Sequence, residues 1–103
     1  MKISEIEFDE VIKESAIPVL LDFWSHNCKA CENSNPFIFK LEEVYKDKLR
    51  IIKINAEEQI SLIKRFVIKK VPTFILFKNR KICFKIEGFQ NEIILEKQIR
   101  NNL

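Results

Sequence analysis

The hydrophobic positions of this chain change period along its length, and the changes sort it into helices and strands. Ser4-Glu5-Ile6-Glu7 fits a capping box, and Phe8 and Ile12 continue an amphipathic helix that ends near Ser15, with Pro18 marking the break. Val19-Leu20-Leu21-Asp22-Phe23-Trp24 is almost wholly apolar, the pattern of a strand covered on both faces in a parallel sheet. Phe37, Leu41, Val44 and Tyr45 recur at helical spacing between about Lys29 and Tyr45, with Pro36 expected to kink the helix. Leu49 to Asn55 predicts a second strand, and Ile60 and Ile63 a short third helix ahead of Phe66-Val67-Ile68. Thr73-Phe74-Ile75-Leu76-Phe77 predicts another buried strand. Ile82, Phe84 and Ile86 alternate with Cys83, Lys85 and Glu87, which predicts a strand with one buried face. After Gly88, Leu95, Ile99 and Leu103 close the chain as a final helix.

Strands alternating with helices predict an α/β fold. The tight Lys78–Lys81 connection makes the last two strands antiparallel, so the central sheet is expected to be mixed, with four strands, or five if Lys2-Ile3 adds a short one, and helices on both faces. A type I′ turn there would place positive φ on Arg80 at a cost of about 1 kcal/mol, so a longer or different turn is expected. No repeat, linker or low-complexity segment divides the 103 residues, a length suited to one domain over 1–103.

Composition narrows the function classes. A hydrophobic fraction of 47% argues for a packed globule, and a net charge of +3 without interleaved basic and aromatic residues argues against nucleic-acid binding. No apolar run approaches the roughly 18 residues of a membrane span, and the acidic start Met1-Lys2-Ile3-Ser4-Glu5-Ile6-Glu7 lacks the apolar stretch of a signal peptide. A monomeric cytoplasmic protein without membrane contact is expected. In that setting three cysteines are too few for a structural disulfide framework, so the close pair Cys28 and Cys31 points to redox or metal chemistry and leaves Cys83 unpaired.

Only Lys29 and Ala30 separate Cys28 from Cys31, just after the first apolar strand and at the start of a helical pattern. At i and i+3 on one helical face, the sulfurs lie within the roughly 5 to 6 Å Cα separation that a disulfide needs. Helix N-terminal N–H groups and the macrodipole favour a thiolate on Cys28, and Lys29 adds a positive charge, so Cys28 is the expected nucleophile. Zinc binding by His26, Cys28, Cys31 and Cys83 is the principal rival. It is disfavoured because structural zinc sites bring two close ligand pairs together and Cys83 has no close companion. Haem attachment fails because Glu32, not histidine, follows Cys31.

The ordered set Val19 to Trp24, Cys28-x-x-Cys31, Pro36, Val71-Pro72-Thr73 and Gly88 resembles the thioredoxin family over almost the whole chain. The resemblance implies the thioredoxin fold and reversible dithiol–disulfide exchange without a bound cofactor. Protein disulfides would be the substrates, and an NADPH- or ferredoxin-linked reductase the electron donor. It implies that Cys28 attacks, that a more buried Cys31 resolves the mixed disulfide, and that Asp22 moves a proton to or from Cys31. Trp24, Val71, Pro72, Thr73 and Gly88 would form the substrate-facing set, with Pro72 cis and its loop pairing with an extended substrate segment. Asp22, flanked by Leu20, Leu21, Phe23 and Trp24, should have a raised pKa unless Lys53 satisfies it.

The chain departs from the family pattern at several positions. Asn27-Cys28-Lys29-Ala30-Cys31 stands where the family has Trp-Cys-Gly-Pro-Cys. Lys29 should stabilise the thiolate and make the disulfide more oxidising, about 30 mV for each 1.4 kcal/mol, while Ala30 removes proline rigidity. Lys69-Lys70, where the family commonly has glycine, places positive charge beside the docking groove and tilts it toward acidic partners. Gly88, the only glycine, is expected to serve close backbone approach or a bend. An isomerase, an oxidant, a dedicated donor to one enzyme and a non-catalytic peptide-binding module are the alternatives within this fold. Cys83 is expected to act as a small hydrophobe in its strand.

Overall fold

In a computed structural model, which describes residues 3–103, the elements run α1 (Glu5–Glu14), β1 (Val19–Trp24), α2 (Lys29–Val44), β2 (Arg50–Asn55), α3 (Ile60–Arg65), β3 (Thr73–Lys78), β4 (Lys81–Glu87) and α4 (Glu92–Arg100). Among the described residues the sheet has four strands in the order β2-β1-β3-β4. Strand β1 pairs parallel to β2 and antiparallel to β3, and β3 pairs antiparallel to β4, so the sheet is mixed. The expected short strand at Lys2-Ile3 lies partly outside the described residues. Ile3 itself is in no strand and is held by Gln59, whose side-chain N–H donates to its carbonyl at 2.6 Å.

Alternation along β1 divides the core between two layers. Leu20 packs on one face with Phe37, Ile38 and Leu41 of α2, Phe74 and Leu76 of β3, and Leu95 and Ile99 of α4. Val19, Leu21 and Phe23 pack on the other with Phe8 of α1, Leu62 of α3, and Ile75 and Phe77. Burial on both faces explains why β1 and β3 read as continuous apolar runs. By the same alternation Asp22 shares the face of Leu20, the layer formed by α2 and α4.

Three local features depart from the periodicity. The ladder passes from Leu76↔Phe84 directly to Phe77↔Ile82, which leaves Cys83 as the extra residue of a bulge. Alternation therefore fails at this end of β4: Ile82 and Cys83 are both exposed, and only Phe84 and Ile86 pack inward. The turn before it is the tight one after all. Asn79 and Arg80 have φ of 53° and 68°, the conformation whose twist matches that of the paired strands, and Arg80 Nε donates to the Lys13 carbonyl of α1 at 3.3 Å. Finally, α4 ends at Arg100, so Leu103 lies beyond the helix and is exposed.

Helix α3 ends in a Schellman motif. The Ile68 N–H donates to the Ile63 carbonyl at 3.0 Å and the Val67 N–H to the Lys64 carbonyl at 3.2 Å, with Val67 at φ 51° where glycine is usual. A β-branched residue in this region is strained, and its exposed side chain contributes little burial in return. Val67→Gly should therefore stabilise the protein by about 1 kcal/mol and raise Tm by roughly 4–8 °C, measured by thermal unfolding of the oxidised form. An unchanged or lower Tm would show that the loop does not carry the strain.

Candidate active site

Strand β1 delivers the chain to the site. Beyond Trp24, residues Ser25-His26-Asn27 turn the backbone, Asn27 adopting φ 55°, and Cys28 becomes the N-cap of α2. Asparagine tolerates this left-handed conformation better than most residues. Cys28 thus sits just ahead of the first helical turn and not within it. Its Sγ accepts the Cys31 N–H at 3.1 Å, as a capping side chain accepts an orphan amide donor. The Cα atoms of Cys28 and Cys31 are 5.2 Å apart and the sulfurs are joined in a disulfide. Cys31 is 4% exposed, whereas Cys28 is partly open to solvent, so an incoming sulfur reaches Cys28 first. The same N–H would stabilise a Cys28 thiolate by a charge-assisted bond.

The Val71–Pro72 peptide is cis and lies against the pair: Cys28 Sγ is 3.7 Å from the Val71 carbonyl oxygen. In the disulfide this is a contact only, because the sulfur carries no hydrogen; a reduced thiol has one to donate. Two bonds fix the loop. The buried Thr73 hydroxyl donates to the Lys70 carbonyl at 2.6 Å, and the Gly88 N–H donates to the Pro72 carbonyl at 2.7 Å. Gly88 has φ 83°, which accounts for glycine at the junction of β4 and the segment leading to α4.

Asp22 lies in the central strand, 1% exposed, and neither of its carboxylate oxygens has a hydrogen-bond partner among the described residues. Burial pushes its carboxyl from 3.8 up to about 6; the positive charge of Lys53 opposes the rise and Glu42 adds to it. Lys53 stands opposite Asp22 in the β1–β2 register, yet its ammonium donates to Asn35 Oδ1 at 3.0 Å. The lysine therefore tempers the carboxyl through space without satisfying it.

The remaining candidates divide by position. Trp24 is half-buried, meets the His26 ring edge-on at 5.1 Å, and lines with Asn35, Lys53, Asn55 and Glu58 a polar cavity of about 440 Å³. Lys29 points into solvent and lies 3.8 Å from Glu32, an exposed pair that screens part of the charge expected to act on Cys28. Ala30 occupies the first turn of α2 and is half-buried. Cys83 is exposed on β4, like Lys85 and Glu87 with which it was grouped by alternation. No three His, Cys, Asp or Glu side chains cluster as metal ligands among the described residues, so the zinc reading finds no ligand set there. Asn35 and Glu57, whose carboxylate accepts the His26 N–H at 2.8 Å, were not singled out by the sequence. Their partners are 18 and 31 residues away, and no spacing rule links them.

A closable cysteine pair at a helix N-cap, set beside a cis-proline loop on a mixed α/β sheet, defines a thiol–disulfide exchange site. The thioredoxin family model matches residues 1–101. The chain belongs to the thioredoxin family. It is 38% identical over 96 residues to a chloroplastic thioredoxin Y of Oryza sativa subsp. japonica, covering 93% of this chain and 57% of that protein. It is 32% identical over 101 residues to a thioredoxin of Rickettsia felis, covering 98% of this chain and 89% of the relative. Oxidised mitochondrial thioredoxin 3 of Saccharomyces cerevisiae superposes with a TM-score of 0.85 at 31% identity, covering 93% of this chain and 88% of that one. The chain thus spans little more than half the length of the rice protein. Among the described residues no helix is long and apolar enough to cross a membrane.

Proposed function

We propose that residues 1–103 form one thioredoxin domain that reduces protein disulfides by cycling Cys28 and Cys31. The observation that carries this reading is Cys28 at the helix N-cap, its sulfur accepting the Cys31 N–H and touching the Val71 carbonyl. The Cys28 thiolate attacks one sulfur of a substrate disulfide, forming a mixed disulfide and releasing the second substrate sulfur as a thiolate that takes a proton. Cys31 then gives its proton to the Asp22 carboxylate and attacks Cys28 Sγ. The Cys28–Cys31 bond forms, the first substrate sulfur leaves as a thiolate, and two electrons have passed to the substrate. Val71, Pro72, Thr73 and Gly88 hold the extended substrate segment, Trp24 flanks the turn, and Lys29, Ala30 and Lys53 tune the pair.

The oxidised pair needs an external two-electron donor, for which an NADPH- or ferredoxin-linked thioredoxin reductase is the proposed partner. An exposed free thiol at Cys83 suits a reducing compartment, and we assign the protein to the cytoplasm as an electron carrier. The test is stoichiometric. Chain reduced and freed of excess thiol should lose two thiols for each disulfide it opens in a protein substrate, with a potential near the roughly −270 mV associated with thioredoxins. A potential about 60 mV or more higher shifts the equilibrium roughly 100-fold and would favour an isomerase, oxidant or dedicated-donor role. Failure to open any disulfide would overturn the proposal.

A further inference from the structure

A groove of about 300 Å³ runs along the Val71 loop, lined by Ala56, Ile63, Ile68 and Val71 and by the charged Glu57, Lys69 and Lys70. The Lys70 side chain reaches across to Gly88: a methyl group built on Gly88 would lie 3.6 Å from Nζ and 3.7 Å from Cε. Gly88 in turn donates to the Pro72 carbonyl, so the ammonium stands beside the segment that holds the cis-proline loop.

The charges around the site are unevenly matched. Glu32 pairs with Lys29 and Glu87 with Lys85, while the Glu57 carboxylate accepts only the uncharged backbone N–H of His26. Lys69 and Lys70 are exposed and make no ion pair among the described residues. With two ammonium groups that make no ion pair against the single Glu57 carboxylate, the groove is net positive and complements an extended segment that carries carboxylates. Resting on the exchange activity proposed above, we propose that Lys69 and Lys70 select disulfide substrates in which an acidic side chain flanks the attacked cysteine. The exchange itself is unaltered: the substrate loses its disulfide and the Cys28–Cys31 pair gains one.

Two cyclic disulfide peptides, identical except for aspartate or lysine beside one cysteine, test this. The reduced chain is mixed with each in single turnover, followed by the fluorescence of Trp24, and each rate is divided by that of the same peptide with dithiothreitol. At low salt the aspartate peptide should react about tenfold faster than the lysine peptide, and the ratio should fall toward one at high salt. In the double variant Lys69→Gln, Lys70→Gln the ratio should also approach one, while Lys69→Arg, Lys70→Arg should keep it. A ratio near one in the unaltered chain, or one that survives the glutamine variant, overturns the inference. The neutral disulfide 2,2′-dithiodipyridine separates the two claims. Rapid reaction with it, without peptide discrimination, rejects only the selection by Lys69 and Lys70. No reaction with it or with either peptide rejects the exchange activity as well.

Discussion

Cys28→Ser should lower disulfide reduction to the uncatalysed background, while Cys31→Ser should leave a covalent adduct between Cys28 and the substrate. The asymmetry follows from the site. Cys28 is the more open sulfur and the one that accepts the Cys31 N–H, so its thiolate is the one expected to form and meet the substrate. A hydroxyl in its place is not a nucleophile near neutral pH without a strong base beside it. Cys31 is nearly enclosed, so its loss removes the second step and spares the first. The adduct should be visible by intact mass and should release on adding dithiothreitol. Retained turnover in Cys28→Ser would reject the mechanism, and an adduct on Cys31 in that variant would reverse the two roles.

Asp22→Asn should change both the pH dependence of stability and that of exchange. In the folded oxidised protein the carboxyl is raised from 3.8 to about 6, so between those values the native state holds more protons than the unfolded chain. Stability then falls as pH rises through this window and is level above it, because ionising a buried, unpartnered carboxyl disfavours the fold. The shift corresponds to about 3 kcal/mol. Urea unfolding of wild type and Asp22→Asn should therefore diverge by about 2–3 kcal/mol in favour of the variant between pH 4 and pH 8. A constant difference would mean that Asp22 titrates as an ordinary carboxyl. In exchange kinetics the same variant should lose up to about 10²-fold in rate above pH 6, together with the limb of the pH–rate profile near 6. Superimposable profiles would remove Asp22 from proton transfer.

The features most legible in the sequence were those that one principle decides alone. Val19 to Trp24 has the predicted limits because a strand buried on both faces tolerates little but apolar residues, and Asp22 stood out against that run. Ser4 caps α1 through the Glu7 N–H as the local pattern required. Legibility ended where two demands competed. Alternation at Ile82 and Cys83 yielded to a bulge, and the expected reluctance of Arg80 yielded to the twist of β3 and β4. Lys53 was readable as a partner of Asp22 by charge, but only the fold reveals that its ammonium goes to Asn35. The meeting of Gly88, Pro72 and Lys70 is likewise a product of topology.

The cysteine Cα atoms are held 5.2 Å apart, a spacing that successive turns of an undistorted helix already provide. Opening the bond therefore asks only for small rotations about the Cys side chains. The reduced form is expected to keep the outline of the oxidised one, so a partner that tells the two apart should read the sulfurs and their immediate rim. Substitutions far from Cys28 on the surface should accordingly leave a partner's preference for one redox form unchanged.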